Sequence, residues 1–253
     1  MAYPAWMTQA DFDIRFGWGP EAIEIFGAQV QTIVLVDVLR FTTALDVAVS
    51  RGARVFPAPW PLSPDIGHGD REVADGNGPR QLSLSPPSLV VLGVGDVIVL
   101  PSPNGSHCSA LAATHHRQVI GGCMRNATAV ANWLLSSAPV WPVAVVACGE
   151  RWPQGTLRPA IEDELGAGAL IAALMEVAPQ ATAAPEAHLA AQAFLTASRD
   201  LTGVLASSMS GRALSGKGRE EDVAWAADVD ASRSVPQLAD DGAYVDAAGA
   251  GRA

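Results

Sequence analysis

The sequence predicts a three-layer α/β/α sandwich built on a mixed, largely parallel sheet. This prediction rests on short apolar, β-branched runs and on the polar loop and helical pattern that follow each run. The clearest example begins with the run Thr32–Val36, which ends at Asp37. Thr42 and Thr43 then open a helix that continues to Val49. A continuous apolar run followed by a helix is typical of a parallel strand covered on both faces.

The same order of strand, loop and helix recurs about three more times along the chain. A short strand at 54–57 is stopped by proline. We expect one domain over residues 1–253, because α/β folds of this length often form a single unit. The further predicted strands are 97–100, 119–120 and 143–147, and the helices that follow them are 106–114, 126–135 and 161–176.

The remaining segments give weaker patterns. Residues 58–88 are rich in Pro, Gly, Asp and Ser, and so long a connection in a compact domain is usually functional or disordered. The tail after Pro236 has little to pack and is expected to fray. The other predictions are a strand or extended segment and a loop in 1–29, two helices in 179–210, a polar turn in 210–218 and a short helix in 220–227.

Composition and charge exclude several classes of protein. An apolar fraction of 49% excludes general disorder, and a net charge of −10 argues against a nucleic-acid or anionic-membrane surface. No window of ~18 apolar residues lacks charges or breakers, so no membrane span is expected. The N-terminus has no basic segment before an apolar core, so no secretory signal is expected. Cys108, Cys123 and Cys148 form no CxxC pair, which suits a reducing cytoplasm.

Asp37 and Arg40 fall where ligands bind in parallel sheets, beyond the carboxyl end of a strand. A carboxylate at this place can hold a hard cation, and a guanidinium can clamp a phosphate or sulfonate through two hydrogen bonds. Thr42 and Thr43 would face an anion at the helix N-terminus. The alternative is that Asp37 caps the helix and Arg40 forms a surface ion pair.

Other strand-end loops carry small polar residues of the same kind. Glycine lets the backbone approach an oxyanion, and Asn or Ser adds a side-chain hydrogen bond. Each loop alone is typical of a plain turn, but together at one sheet edge they predict a crevice that binds a small anion. The residues expected to bind the substrate are Thr42, Thr43, Asn104, Gly105, Ser106, Gly122, Asn126, Cys148 and Gly149.

Five motifs in order resemble the family of 2-phosphosulfolactate phosphatases, the ComB-like proteins. They cover most of the chain, and their spacing matches that of the family. No single motif is decisive, but five in order make a specific match. The motifs are VDVLRFTTA, LPSPNGS, GGCMRNATAVANWL, VAVVACGERW with IEDELGAGALI, and GREEDVAWAADVDASRSVPQL.

The resemblance implies Mg²⁺-dependent hydrolysis of a small anionic phosphomonoester. The family's substrate is 2-phosphosulfolactate, which gives sulfolactate and phosphate on the route to coenzyme M. The alternative for Glu162 and Asp163 is that they complement the dipole of the helix they open. Whether the protein forms a homo-oligomer stays open. The implied catalytic residues are Asp37, Arg40, Glu162 and Asp163, and the implied metal ligands are Asp37, Asp163, Asp222 and Asp230.

One region departs from the family pattern. The family has a GER-type turn and a GNSP-like segment near the active site, and here only 69–72 and 76–79 align with them, imperfectly. The departure leaves the substrate less certain than the fold. Two alternatives therefore stay open: a phosphatase for another small phosphorylated acid, or a relative that binds anions without catalysis.

Several other phosphatase chemistries lack their residues in this chain. No cysteine has an arginine six positions later, no second Asp follows Asp37 at two residues, and Arg-His-Gly is absent. Cys148 at a strand end stays an alternative nucleophile. The segment GRALSGKG nearly matches a nucleotide P-loop, but it ends in Gly218, where Ser or Thr should reach magnesium. We interpret it as a turn.

Overall fold

The computed structural model describes residues 3–62, 71–115, 117–137 and 141–249. Within these ranges the strands are β1 (Ile14–Trp18), β2 (Thr32–Val36), β3 (Arg54–Ala58), β4 (Glu72–Val73), β5 (Val97–Pro101), β6 (Gln118–Gly122), β7 (Val143–Ala147), β8 (Glu150–Arg151), β9 (Leu157–Arg158), β10 (Pro236–Leu238) and β11 (Tyr244–Asp246). The helices are α1 (Ala5–Thr8), α2 (Gly19–Phe26), α3 (Phe41–Ser50), α4 (Gly105–Ala113), α5 (Ala127–Ser136), α6 (Ile161–Val177), α7 (Pro185–Ala197), α8 (Leu201–Ser207), α9 (Met209–Ser215) and α10 (Glu220–Ala226).

A nine-stranded sheet forms the middle layer, in the order β1-β7-β2-β6-β10-β11-β3-β5-β4. The first four strands are parallel to one another, and so are the last three. The β10–β11 hairpin lies between these groups and pairs antiparallel on both sides. The two strands β8 and β9 form a separate antiparallel ribbon. The predicted mixed, largely parallel sheet is confirmed.

Strand β2 shows why the sandwich has three layers. All five of its residues are buried, and alternate side chains enter different cores. Val34 and Val36 pack with α5, α6 and α7, whereas Ile33 and Leu35 pack with α2, α3 and α4. Fully burying each of these aliphatic side chains contributes roughly 1.5–3 kcal/mol. Burial on both faces explains the apolar run without polar alternation.

The C-terminal segment contradicts the prediction that it frays. Strands β10 and β11 lie inside the sheet and join its two parallel groups. Tyr244 on β11 is fully buried, and its hydroxyl lies 2.8 Å from the Ser109 hydroxyl oxygen. Each of the two strands has only three residues, which is too few for an alternating apolar pattern to be visible in the sequence. Their hydrogen-bond partners come from the neighbouring strands of the sheet.

Two further segments differ from the predictions. Residues 209–215 form helix α9 instead of a polar turn, because Ser208 caps the helix by accepting a hydrogen bond from the Gly211 N–H at 3.0 Å. The predicted N-terminal loop contains helix α2, whose Ala22, Ile23 and Phe26 are buried. In the divergent region, residues 69–70 lie outside the described ranges. No helix in the described ranges is both long and apolar enough to cross a membrane.

Candidate active site

Asp37 lies directly beyond the carboxyl end of β2 and is only 7% exposed. One carboxylate oxygen accepts a hydrogen bond from the Phe41 N–H at 3.3 Å, and the other accepts one from the Gly105 N–H at 2.9 Å. Burial, followed by the negative charge of Glu150, raises the pKa of Asp37 to about 7. The two N–H groups act in the opposite direction. Asp37 therefore exchanges its proton near neutral pH.

Gly105 is required for the contact between α4 and Asp37. A Cβ atom on this residue would lie 2.2 Å from the Phe41 ring and 2.8 Å from Asp37 Oδ2. Strand β5, which precedes α4, belongs to the parallel group that does not contain β2. The loop after β5 therefore reaches Asp37 from the other parallel group, whereas the predicted loops after β6 and β7 follow strands that neighbour β2.

Thr42 and Thr43 hold the turn that carries Asp37. The Thr42 hydroxyl accepts a hydrogen bond from the Asp37 N–H at 3.0 Å and donates one to the Asp37 carbonyl at 2.9 Å. The Thr43 hydroxyl donates to the Val38 carbonyl at 2.7 Å. Both threonines are fully buried. The structure thus places their hydroxyls on the backbone of the turn, away from the cavity described below.

Asp163, at the start of α6, joins two strand-end loops. Its Oδ1 accepts a hydrogen bond from the Val38 N–H at 2.7 Å, and its Oδ2 accepts one from the Gly149 N–H at 2.9 Å. Burial, then the charges of Asp37 and Glu162, raise the pKa of Asp163 well above its ordinary value. Asp163 therefore fixes the relative position of the β2 and β7 loops.

Glu162 brings a third carboxylate to the same sheet edge. It is 2% exposed, and its charge contributes to the raised pKa of both Asp37 and Asp163. Its Oε2 is buried and has no hydrogen-bond partner among the residues that the structure describes. A buried carboxylate oxygen without a donor is unfavourable unless a cation or water satisfies it.

The carboxylates of the other two predicted metal ligands are engaged by protein groups. Asp222 is paired with Arg40, and Asp230 is exposed and binds the Thr128 N–H and hydroxyl at 2.9 and 2.8 Å. Asp230 thus caps the first turn of α5. Within the described ranges, no group of three His, Cys, Asp or Glu side chains is arranged to hold a metal ion.

Arg40 belongs to a buried network and not to a surface ion pair. Its Nη1 donates a hydrogen bond to Asp222 Oδ2 at 2.7 Å, and Asp222 is 1% exposed. The Ser85 hydroxyl donates to the other oxygen of Asp222. Arg40 is partly exposed and lines the cavity. One of its donors is therefore committed to Asp222, and its other N–H groups make no hydrogen bond to the residues that the structure describes, which leaves them available to a ligand.

A cavity of about 720 Å³ opens over Asp37 and Arg40. Asn104 and Glu150 also line it. Three further basic residues line it as well, none of which the sequence analysis selected: Arg158, Lys217 and Arg219. They lie in or near the GERW and GREED motifs, and this position was the feature of the sequence that could have identified them as site residues. Nothing in their local pattern indicates that they face one cavity.

The remaining predicted substrate-binding residues lie behind the cavity wall. Asn126 is fully buried and bonds the Cys123 N–H and the Gly121 and Ser234 carbonyls. A Cβ on Gly122 would lie 2.6 Å from Leu170, so this glycine allows close helix packing. The Ser106 hydroxyl donates to the Leu100 carbonyl at 3.3 Å. These residues support the loops and do not line the cavity.

Cys148 is buried beneath the same loops. Its contact with the Cys108 thiol, and then burial, raise the pKa of the Cys148 thiol well above its ordinary value. A nucleophilic cysteine requires a lowered pKa and access to the substrate, and Cys148 has neither. The geometry therefore favours a structural role for this residue.

Comparison with known proteins assigns the chain to a family by its sequence. The model of the family described as 2-phosphosulpholactate phosphatase matches residues 78–241. A search of curated proteins found no match. The matched range covers well over half of the chain and includes α6, α10, Arg158 and Lys217. The resemblance drawn from the five motifs is thereby confirmed: the chain belongs to the 2-phosphosulpholactate phosphatase family, whose reaction is the hydrolysis of a phosphoric monoester.

Proposed function

We propose that the protein hydrolyses 2-phosphosulfolactate to sulfolactate and phosphate, with Mg²⁺, in the cavity over Asp37. The observation that carries this proposal is the composition of the cavity wall. A single cavity joins the Asp37 carboxylate to four cationic side chains in a protein with a net charge of −10. Concentrating basic groups at one place in an acidic protein favours an anionic ligand there.

The number of cations suits a substrate with several acidic groups. 2-Phosphosulfolactate carries a phosphate, a sulfonate and a carboxylate. Arg40 lies nearest to Asp37 in the chain and is the proposed partner of the phosphoryl group. Arg158, Lys217 and Arg219 are the proposed partners of the other two acidic groups. Arg158 is itself held, because its Nη2 donates to the Ser210 hydroxyl at 3.0 Å.

The carboxylates at the sheet edge suit Mg²⁺ better than they suit a metal ion whose ligands all come from the protein. Mg²⁺ commonly binds one or two carboxylates and completes its shell with water and substrate phosphate. Glu162 offers a buried oxygen without a donor, and Asp37 lies close enough for the two charges to interact. We propose that these two residues hold the ion. When bound, Mg²⁺ would neutralise phosphoryl oxygens and lower the pKa of a bound water.

The chain's own residues supply the remaining chemistry. Burial raises the pKa of Asp37 to about 7 in the metal-free protein, and Mg²⁺ beside it would favour the ionised carboxylate, which would orient the attacking water by accepting a hydrogen bond from it. The free N–H groups of Arg40 would stabilise charge on the equatorial phosphoryl oxygens. Asp163 holds the Val38 and Gly149 loops, which keeps the sheet edge in shape around Asp37.

A second candidate is a phosphatase for another small phosphorylated acid. The observation that favours it is the source of one cavity wall. Trp60, Asp75, Ser83 and Leu84 line the cavity, and Trp60 and Asp75 precede residue 78, where the match to the family begins. A change in these side chains alters the part of the cavity that contacts the substrate.

A phosphate-release assay tests the proposal and separates it from the alternatives. The purified protein is assayed with Mg²⁺ on 2-phosphosulfolactate and on 2-phospholactate and 2-phosphoglycerate, which keep the phosphate and the carboxylate but lack the sulfonate. We expect the highest kcat/KM on 2-phosphosulfolactate, loss of turnover with a chelator and recovery when Mg²⁺ is added back.

Three results would count against this proposal. Equal or faster release from 2-phospholactate would favour the second candidate. Full turnover in chelated protein would refute the role of Mg²⁺. Binding of inorganic phosphate without release from any ester would favour a non-catalytic anion-binding relative.

A further inference from the structure

Ser85 and Asp222 form a buried arrangement that ends on the cavity. Asp222 on α10 is 1% exposed, and Ser85, in the region 58–88, is 4% exposed. Each oxygen of Asp222 accepts one hydrogen bond: Oδ2 from Arg40 Nη1 and Oδ1 from the Ser85 hydroxyl. Three segments distant in sequence therefore meet at one carboxylate.

We infer that Ser85 and Asp222 are positioning residues, which fix the Arg40 guanidinium so that its free N–H groups face the substrate phosphoryl group. This inference rests on the proposed role of Arg40 in binding that group. It assigns Asp222 a role other than the predicted one of metal ligand. It also gives part of the divergent region a function in catalysis, although Ser85 does not itself touch the substrate.

The physical reason is the flexibility of an arginine side chain. A free arginine loses rotamer entropy when it is held in one geometry. When a carboxylate already holds one edge of the guanidinium, this entropy is lost on folding and not on substrate binding. The substrate therefore binds more tightly and the transition state is better stabilised. Asp222 can do this only if its own orientation is fixed, and the Ser85 hydrogen bond fixes it.

Ser85 is well suited to hold Asp222, because its own backbone is fixed. The Ser85 N–H donates to the Ser83 hydroxyl at 3.2 Å, and the Ser85 carbonyl accepts from the Ser88 backbone N–H at 3.0 Å, a bond that Ser88→Ala would keep. Pro86 follows it and opens a short 3₁₀ turn. Ser85 therefore presents its hydroxyl from a rigid loop.

The competing explanation is a structural tie in which Ser85 only fastens the loop to α10. Ser88 provides the matched control, because its hydroxyl holds the same loop but contacts neither Asp222 nor Arg40. The experiment measures kcat/KM with Mg²⁺ for Ser85→Ala, Ser88→Ala and Asp222→Asn, each alone and combined with Arg40→Ala. Melting temperatures are measured alongside.

We expect Ser85→Ala to lower kcat/KM by about tenfold, as for loss of a hydrogen bond to a charged group. Asp222→Asn should lower it further, and Ser88→Ala should change it by less than about twofold. In the Arg40→Ala background, Ser85→Ala and Asp222→Asn should have almost no further effect, because they act through Arg40. Equal losses for Ser85→Ala and Ser88→Ala, or losses that add to that of Arg40→Ala, would overturn the inference.

A binding measurement separates this inference from the proposed function. The affinity for inorganic phosphate is measured by calorimetry on the same variants. The parent could bind phosphate but release none from any ester, and the proposed function would then fail. In that case a loss of affinity of about tenfold in Ser85→Ala, without a loss in Ser88→Ala, would still support the inference. If Arg40→Ala binds phosphate as tightly as the parent does, Arg40 has no anion to hold and the inference fails.

Discussion

Replacing Asp37 by Asn should remove activity and, at high pH, stabilise the metal-free protein. The parent carboxyl has its pKa raised from 3.8 to about 7, chiefly by burial. Below about pH 4 it is protonated in the folded and unfolded states, and the shift contributes nothing. Above pH 7 it is charged in both states, and the folded state carries the whole penalty. The parent therefore loses stability as the pH rises through this window.

The size of the effect follows from the shift and from the hydrogen bonds. A shift of about three pKa units corresponds to about 4 kcal/mol at pH 8 and about 1.5 kcal/mol at pH 5. Asn removes this penalty, but its NH₂ group cannot accept a bond from Phe41 or Gly105, which costs about 1–3 kcal/mol at every pH. Asp37→Asn should therefore gain about 2.5 kcal/mol relative to the parent between pH 5 and pH 8.

Urea denaturation in the presence of a chelator measures this difference. Both proteins are unfolded at several pH values from 5 to 8, and phosphate release is measured on the same samples with Mg²⁺. We expect the free energy of unfolding of the variant to rise relative to that of the parent as the pH rises, and we expect the variant to lose turnover. A difference that does not change with pH would refute the assignment of a raised pKa to Asp37. Unchanged turnover would leave Asp37 as a helix cap only.

Variants at three other positions test neighbouring features. Arg40→Ala should lower kcat/KM by about 30- to 1000-fold, with Arg40→Lys recovering only part of the loss; an effect within about threefold would place the anion elsewhere. Asp230→Ala should cost about 1 kcal/mol in denaturation, because it removes the cap on Thr128, and should leave turnover unchanged. A strong loss of turnover would restore Asp230 as a metal ligand. Gly105→Ala should lower the melting temperature and turnover together, because its Cβ would overlap the Phe41 ring; a fully active, equally stable variant would contradict the packing.

The elements that sequence patterns predicted are those whose signal is local. Strand β2, strand β7 and helix α6 each have a continuous pattern of adequate length, and each lies where it was expected. The chemistry at the end of β2 was also visible locally, because Asp37 and Arg40 follow the strand directly. Both residues line the same cavity, which is consistent with a ligand site at the end of this strand.

The features that were missed depend on contacts between distant segments. The β10–β11 hairpin is stabilised by strands that lie about 100 residues or more away in sequence, and its own strands are too short for periodicity to show. The pairing of Arg40 with Asp222 joins residues 182 positions apart. Thr42 looked like an anion ligand because a helix N-terminus and a hydroxyl coincide there, yet its turn uses that hydroxyl.

The site separates two kinds of charge by burial. The carboxylates of Asp37, Asp163 and Glu162 are buried together, so burial and their mutual repulsion make the ionised cluster unfavourable until positive charge arrives. Lys217 and Arg219 are exposed, so they stay charged at little desolvation cost and remain available to an anion. A cation is therefore favoured beside the buried carboxylates and an anion beside these exposed basic residues. A phosphate bound between them would contact both, which explains how so acidic a protein can hold an anionic substrate without a basic surface.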